Sequence, residues 1–566
     1  MQRRQLILLA LCILVPVLFL WQNVMELRAE EPRRAIVSLE MFLTGDWGIP
    51  KINGWSYYNK PPFFNWLMAI CFALFNSLEE WVVRFPSLFS ACLHAYLIYK
   101  VSTYYFKRET AILAGFIYIT FGEILFFGSI TSGEIDLFFS LLTFLQVLSI
   151  FYFDKINRPW LLFSVSYGLA AIGFLTKGLP SVAFQALTLL GWLAYNRRIK
   201  MLLHPANFAG AGLFLILSGA YFYNYSLYDD VQGFLIRQFK EASMRTGLET
   251  PDPIKGAFLF LPRLLLLMLP WSLFLVVLGI KGTKRIAKQS FIRFWILFIL
   301  VNIPMYMISG EFKARYYYVF LAAFAIITAR LIEEADEHNP HLVNKLKYVF
   351  TFLAFAVPLA CVVAIFLKLP VHLDYKMIRI STFFILSLAA ARIFLKSKEW
   401  IFALIVVLGI ARFGFNIFYL PSWQKDPGIA YYRSSIKQML QISNGNMIYF
   451  HGSPYVFESD ASLGPLHFGK TVLTTAPLMN YRIPYYMSRS TGKVMEFHPR
   501  LQAGNYYLAD KNIADTLEVK ALYTLHDNWQ QQDYILFYFN PSLSLFNELG
   551  NKTNQDPQSE LIAKAR

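Results

Sequence analysis

The chain has 566 residues, of which 56% are hydrophobic, 17% aromatic and 16% charged, a balance that leaves too little polar surface to keep a domain of this size dispersed in water and calls for a membrane as solvent. Lys and Arg outnumber Asp and Glu by 52 to 36, for a formal net charge of +16, which could serve nucleic acid or an uneven charge distribution across a bilayer. The cations fall in short connections between apolar runs, which decides for the bilayer and excludes a nucleic-acid partner.

In chain order, Arg3 and Arg4 precede an apolar run from Leu6 to Trp21 with no small-x-small cleavage site close behind, so this run is expected to stay as a first helix. A spanning helix needs about 20 mostly apolar residues, because unpaired backbone groups are prohibitive in hydrocarbon. Thirteen candidate spans meet that demand: 5–21, 82–104, 109–128, 136–153, 159–176, 178–195, 205–225, 256–280, 291–309, 315–332, 348–368, 376–394 and 399–419. If the first runs outward, the inner connections hold Arg3-Arg4, Lys107-Arg108, Lys155 with Arg158, Arg197-Arg198 with Lys200, Lys281 with Lys284-Arg285 and Lys288, Lys345 with Lys347, and Lys396 with Lys398. All are basic, as the positive-inside rule requires. The odd count then puts the carboxyl terminus outside, together with the long segments 22–81 and 226–255.

After Trp423 the texture becomes mixed polar and apolar. Pro427 to Ile442 reads as a helix, and Met447 to Phe450, Tyr506 to Ala509 and Tyr534 to Phe539 read as buried strands, with a polar tail after Asn551. The expected fold is therefore membrane all-α, a polytopic bundle of about thirteen helices over 1–422, followed by an external soluble α/β domain over 423–566. Cys12, Cys71, Cys92 and Cys361 lie in apolar surroundings without metal-ligand spacing and read as packing residues.

The first external segment carries the chemistry. It opens on Glu30-Glu31-Pro32-Arg33-Arg34 directly after a span, paired carboxylates beside paired arginines at an interface where unneeded charge is costly. It continues through Leu39-Glu40-Met41, Gly45-Asp46-Trp47, Pro50, Asn53-Gly54 and Tyr58-Asn59-Lys60-Pro61-Pro62-Phe63-Phe64-Asn65-Trp66, and Arg84-Phe85-Pro86-Ser87 opens the next span. This order, in register over about sixty residues, resembles the lipid A aminoarabinose transferase family and its bacterial relatives in the C-type glycosyltransferase superfamily, which also includes the dolichyl-phosphate-mannose protein mannosyltransferases. Gly133-Glu134-Ile135-Asp136, Thr176-Lys177-Gly178, Leu269-Pro270-Trp271 and Ser309-Gly310-Glu311-Phe312-Lys313 extend the likeness over roughly the first 330 residues. Two positions depart from it: the leading acid, usually Asp, is Glu30, and the residue before the Lys of Lys-Pro-Pro, often acidic or aromatic in relatives, is Asn59.

The resemblance implies the C-type glycosyltransferase fold and a sugar donor linked through phosphate to a polyprenyl carrier, with an envelope acceptor such as lipid A. It makes Glu30 the leading acid, a general base or the group that orients the acceptor, with inversion at the anomeric carbon; Glu31 and Arg33 hold the local geometry. Glu134 or Asp136 supplies a second acidic point. Fixed cations can stabilise a departing phosphate without a nucleotide-binding fold, and Arg33, Lys60, Arg84, Lys177 and Lys313 all sit where a span meets the outer interface; the ordinary alternative for each is snorkelling to headgroups. Tyr57, Tyr58 and Trp66 could stack on a sugar or belong to the interfacial aromatic belt. No His or Cys cluster demands a metal, though the carboxylates are compatible with a divalent cation. The competing classes are a transporter or flippase for a lipid-linked sugar, against which stands the lack of paired broken spans in two matching halves, and a protein O-mannosyltransferase-like enzyme. The expected setting is the bacterial inner membrane, amino terminus cytoplasmic and soluble domain periplasmic; oligomeric state is not encoded legibly.

Overall fold

The computed structural model describes residues 1–57, 59–127, 129–236, 239, 253–307, 313–366, 376–423, 428–451, 481–498, 500–527 and 531–540. Eight described helices are long and apolar enough to cross a membrane, and a ninth span arises if one bent pair is taken together. The chain is a multi-pass membrane protein. The eight correspond to the expected spans beginning at 82, 136, 159, 205, 291, 348, 376 and 399. Helices also occupy four further expected spans, but Arg3–Phe19, Arg108–Ile119 and Pro180–Tyr195 have 17, 12 and 16 residues, and Tyr318–His338 carries Arg330, Glu333 and Glu334. The count of thirteen therefore remains an expectation.

The run at 256–280 is not one straight span. Helices Phe258–Leu267 and Ser272–Ile280 meet at 117°, because Pro270 cannot continue the hydrogen-bond ladder. A carbonyl freed by the break is satisfied elsewhere, as hydrocarbon demands: Leu269 O accepts from Gly122 N (2.6 Å), and beside it the Trp271 indole donates to Thr120 Oγ1 (2.9 Å).

Contacts divide the chain into two compact units: Met1–Ser38, Trp47–Pro50 and Tyr58–Gln424 form one, and Leu39–Asp46, Lys51–Tyr57 and Lys425–Arg566 the other. In the first unit, Tyr318–His338 is central: Phe320, Ala322, Ala325, Ile326 and Ala329 are among its buried residues, and it packs against the helices Arg108–Ile119, Asp136–Lys155 and Ser272–Ile286. Small residues there let the backbones approach closely.

The second unit contains the five-stranded sheet. The strands are β1 (Lys51–Ile52), β2 (Trp55–Ser56), β3 (Ile448–His451), β4 (Phe497–His498), β5 (Asn505–Asp510), β6 (Tyr523–Asp527) and β7 (Gln532–Phe539). The sheet order is β4-β3-β5-β7-β6, parallel between β3 and its neighbours and antiparallel across β5, β7 and β6. β3, β5, β7 and the helix Gly428–Ile442 fall where alternation and period foretold them, whereas β1, β2, β4 and β6 were not foreseen, being short or lacking a clear alternation. Tyr507, Ala509 and Phe537 bury one face of the sheet against Ile513, Leu517 and Val519. Part of the segment 22–81 belongs to this unit as well. β1 and β2 form a hairpin whose turn residues Asn53 and Gly54 have φ of 56° and 84°, the combination a two-residue primed turn requires. Asn53 Nδ2 donates to Met495 O (2.6 Å), and Phe497 N donates to Asn53 O (3.2 Å).

Candidate active site

The site lies within the first unit, and its base is a buried ion pair. Arg84 donates through Nε and Nη2 to both carboxylate oxygens of Glu31 (2.8 and 3.1 Å), through Nη2 also to Glu26 O (3.0 Å), and through Nη1 to Gln22 O. The two side chains are 1% and 0% exposed. A bidentate pair supplied with further acceptors is the geometry in which buried charge is tolerated. Glu31 also accepts from the backbone N–H of Gly133 (2.8 Å) and of Arg28 (3.1 Å). A Cβ at Gly133 would lie 2.7 Å from Val83 O, so only glycine allows this approach. Ser87 then donates to Glu134 O (2.6 Å). The motif Arg84-Phe85-Pro86-Ser87 thus fastens two segments side by side, one carrying Glu30 and one carrying Glu134.

Above this base lies a cavity of about 110 Å³ lined by Glu30, Arg33, Arg34, Asn59, Lys60, Glu134, Ile135, Asp136, Lys177, Lys313, Arg315 and Tyr316. Glu30 stands at the start of the helix Glu31–Thr44, where the positive end of the helix dipole favours an acid, and pairs with Arg33 one turn on. Pro61-Pro62 stiffens the short stretch between Lys60 and the helix Phe63–Phe75. Asp136 opens the helix Asp136–Lys155, and Lys177 closes the helix Pro159–Lys177, each at the end that suits its charge. Lys177 Nζ donates to Asp136 Oδ1 (2.5 Å) and lies 5.0 and 5.2 Å from the ring centroids of Phe139 and Tyr316. Arg315 reaches both remaining acids, Glu134 at 3.2 Å and Asp136 at 3.9 Å.

The two acids outside the spans are pushed in opposite directions. Burial would raise Glu30, but Arg33, Arg34, Arg315 and Lys313 outweigh it and hold the carboxyl below the usual range. Burial raises Glu134 above that range; Arg315 pulls against the rise and Asp136 adds to it. Each cavity carboxylate has an Arg or Lys partner, so a divalent ion would have to displace a cation to bind. Among the described residues, the His/Asp/Glu group close enough to share an ion is Glu334, Glu337 and His338, none of which lines the cavity.

Of the residues singled out in the sequence, Glu30, Arg33, Lys60, Glu134, Asp136, Lys177 and Lys313 come together here. Glu31 and Arg84 do not line the cavity but lie in the pair beneath it. Tyr57 is buried in the second unit, and Trp66 donates to Trp47 O (2.7 Å) with its ring against Tyr221; neither lines the cavity. Tyr58 and Ser309 to Phe312 fall outside the described residues, as does half of 226–255. Sequence reasoning missed Arg34, Arg315 and Tyr316. Arg34 stands in the same paired-arginine motif, and Arg315 follows Lys313 by two residues, so proximity to a marked cation was the available signal.

Residues 59–222 match the family model described as dolichyl-phosphate-mannose-protein mannosyltransferase. The undecaprenyl phosphate-alpha-4-amino-4-deoxy-L-arabinose arabinosyl transferase of Yersinia pestis (strain Pestoides F) is 26% identical over 367 residues, 61% of each chain, so the match spans less than two thirds of that relative. Its Yersinia enterocolitica counterpart is 28% identical over 319 residues, 52% of each chain. The crystal structure of ArnT from Cupriavidus metallidurans bound to undecaprenyl phosphate superposes with a TM-score of 0.69 at 16% identity, covering 94% of this chain and 98% of that one; the apo form gives 0.67 at 15% identity, with the same coverage. The fold is that of the ArnT crystal structures over nearly all of the chain, and over part of its length the sequence is similar to the aminoarabinose transferases.

Proposed function

We propose that the protein is an integral membrane glycosyltransferase that moves a sugar from an undecaprenyl-phosphate-type carrier to an envelope acceptor such as lipid A, with inversion, at the periplasmic face of the inner membrane. Residues 1–422 form its membrane catalytic part and 423–566 its periplasmic domain, with the amino terminus in the cytoplasm. The observation that carries this reading is the charge of the cavity, six cations against three carboxylates. A phosphodiester donor brings one negative charge, and its phosphate gains a second as the sugar leaves. Cations already in place favour that later state over the earlier one, which is what lowers a barrier.

Arg33, Lys60, Lys177 and Lys313 are the phosphate-binding candidates in the cavity. Glu30, held ionised by its cations, orients the acceptor opposite the leaving group. Glu134, whose carboxyl is raised toward working pH, is better matched to taking a proton from an acceptor hydroxyl. Arg84 acts through Glu31, as the anchor of both acid-bearing segments. No arrangement in the cavity favours transport over transfer.

The test is direct. Purified protein in detergent, given an undecaprenyl-phosphate-linked sugar and lipid A, should yield a glycosylated lipid detectable by mass spectrometry; movement of the donor across a vesicle with no glycosylated product would overturn the proposal. Comparing envelope glycolipids of cells with and without the protein identifies sugar and acceptor, and a shift confined to envelope proteins would move the acceptor class to protein.

A further inference from the structure

We propose that Arg315 is a positioning residue for the transfer, a fork that holds Glu134 against Asp136 so that one acid stays locked and the other stays presented to the acceptor. This rests on the glycosyltransferase reading above and adds a residue that neither the motifs nor the comparisons mark.

The geometry is asymmetric. Asp136 is gripped twice, by Lys177 Nζ on Oδ1 at 2.5 Å and by Arg315 Nε near Oδ2 at 3.9 Å. Glu134 meets Arg315 Nη1 at 3.2 Å, and its backbone carbonyl is fixed by Ser87. The fork itself is rigidly mounted. Arg315 sits in the short 3-10 turn Ala314–Tyr317, and Tyr318, the next residue, is tied on both sides: its carbonyl accepts from Ser140 Oγ (2.8 Å), one turn along the helix that bears Asp136, and its hydroxyl donates to Glu123 (2.9 Å). Guanidinium and acids are therefore held by the same helix pair, which is how a supporting residue keeps reacting groups in register.

The charged groups that act on Glu134 are Arg315, Asp136, Glu31, Glu123 and Arg28. Three are acids that favour its proton, so Arg315 has a large share in keeping it available as a base. Removing Arg315 raises the Glu134 carboxyl further, and the acid limb of the kcat profile must move to higher pH.

The experiment compares wild type, Arg315→Gln and Arg315→Lys in detergent, reading kcat against pH with undecaprenyl-phosphate-linked aminoarabinose, and separately the binding of undecaprenyl phosphate. Arg315→Gln should lower kcat roughly tenfold to a hundredfold and move the acid limb up by on the order of one pH unit, with carrier-phosphate affinity changing much less. Arg315→Lys, which keeps the charge and loses the fork, should return the limb toward wild type while leaving kcat low. A limb that stays in place while carrier-phosphate affinity falls would make Arg315 a phosphate ligand and overturn the inference, as would a Gln variant with wild-type kcat. An unstable Gln variant leaves the Lys variant to decide, since wild-type kcat there excludes any need for the fork. A wild-type protein that transfers no sugar overturns the underlying reading and this inference with it; an active wild type with an unmoved limb overturns this inference alone.

Discussion

Two clusters built from the same residue types lie in the helical unit, and they do different work. In the pair beneath the cavity, Arg84 and Glu31 are almost wholly excluded from solvent, and each nitrogen of the guanidinium is engaged by Glu31, Glu26 O or Gln22 O. Such a pair has no capacity left for a ligand, and its effect is to hold backbone segments together. In the cavity the carboxylates are also paired, but cations outnumber them six to three. The surplus can be met by an incoming anion. In the proposed function it is this imbalance, and not charge as such, that serves the donor phosphate.

The contrast can be broken from either side. The largest effect is expected from Glu30→Gln, which keeps size and removes the carboxylate that orients the acceptor: transfer should fall roughly a hundredfold or more at normal expression and carrier-phosphate binding, and a turnover assay at wild-type rate would remove Glu30 from the reaction. Arg84→Met should act through the fold, since it leaves Glu31 charged and buried without its partner. A loss of about 3–5 kcal/mol is expected, read as a lower thermal midpoint in detergent, and a midpoint equal to wild type would show that the buried pair anchors nothing.

A buried acid outside both clusters sharpens the comparison. Glu40 accepts from Gly54 N at 3.0 Å, and burial pushes its carboxyl from 4.5 up to about 7 against the pull of the Gly54 and Asn53 N–H groups and Lys51. Because the folded state holds the proton more tightly, the stability it adds is complete below the unfolded value and is lost as pH rises through about 7. Thermal midpoints of wild type should decline across that window by the equivalent of about 3 kcal/mol or less, whereas Glu40→Gln should give a flatter profile; parallel profiles would return Glu40 to an ordinary acid. The smallest effect belongs to Lys313→Ala. At a partly exposed position one cation is worth about 1 kcal/mol, so carrier-phosphate affinity should weaken less than tenfold, and an unchanged affinity would leave Lys313 as a headgroup contact.

Much of the site was legible because its motifs are local. Glu30 with Arg33, Glu134 with Asp136, and Lys177 before Gly178 each stood out within a few residues, and all of these charged residues line one cavity. What the motifs could not separate was position. Arg84 looked as fit to bind phosphate as Lys60, but the structure places it in a buried pair with Glu31 and not in the lining of the cavity. Arg315 carries no signature of its own, since its importance comes from two acids about 180 residues earlier in the chain. Of the two readings open for the aromatics, packing is what the placement of Tyr57 and Trp66 favours: they flank the marked Lys-Pro-Pro, yet neither lines the cavity.

The sequence by itself determined the solvent of the protein, the approximate places of most of its helices and of β3, β5 and β7, and the acidic and basic motifs of the segment 22–81. These are properties of short windows, where hydropathy and backbone preference add residue by residue. The tertiary structure decided the bend at Pro270, the joining of the Asn53-Gly54 hairpin to β4, and the division of charges between a dry anchor and an open cavity. Each depends on which distant groups meet, and the energy of a charge in a folded chain is set by its neighbours in space.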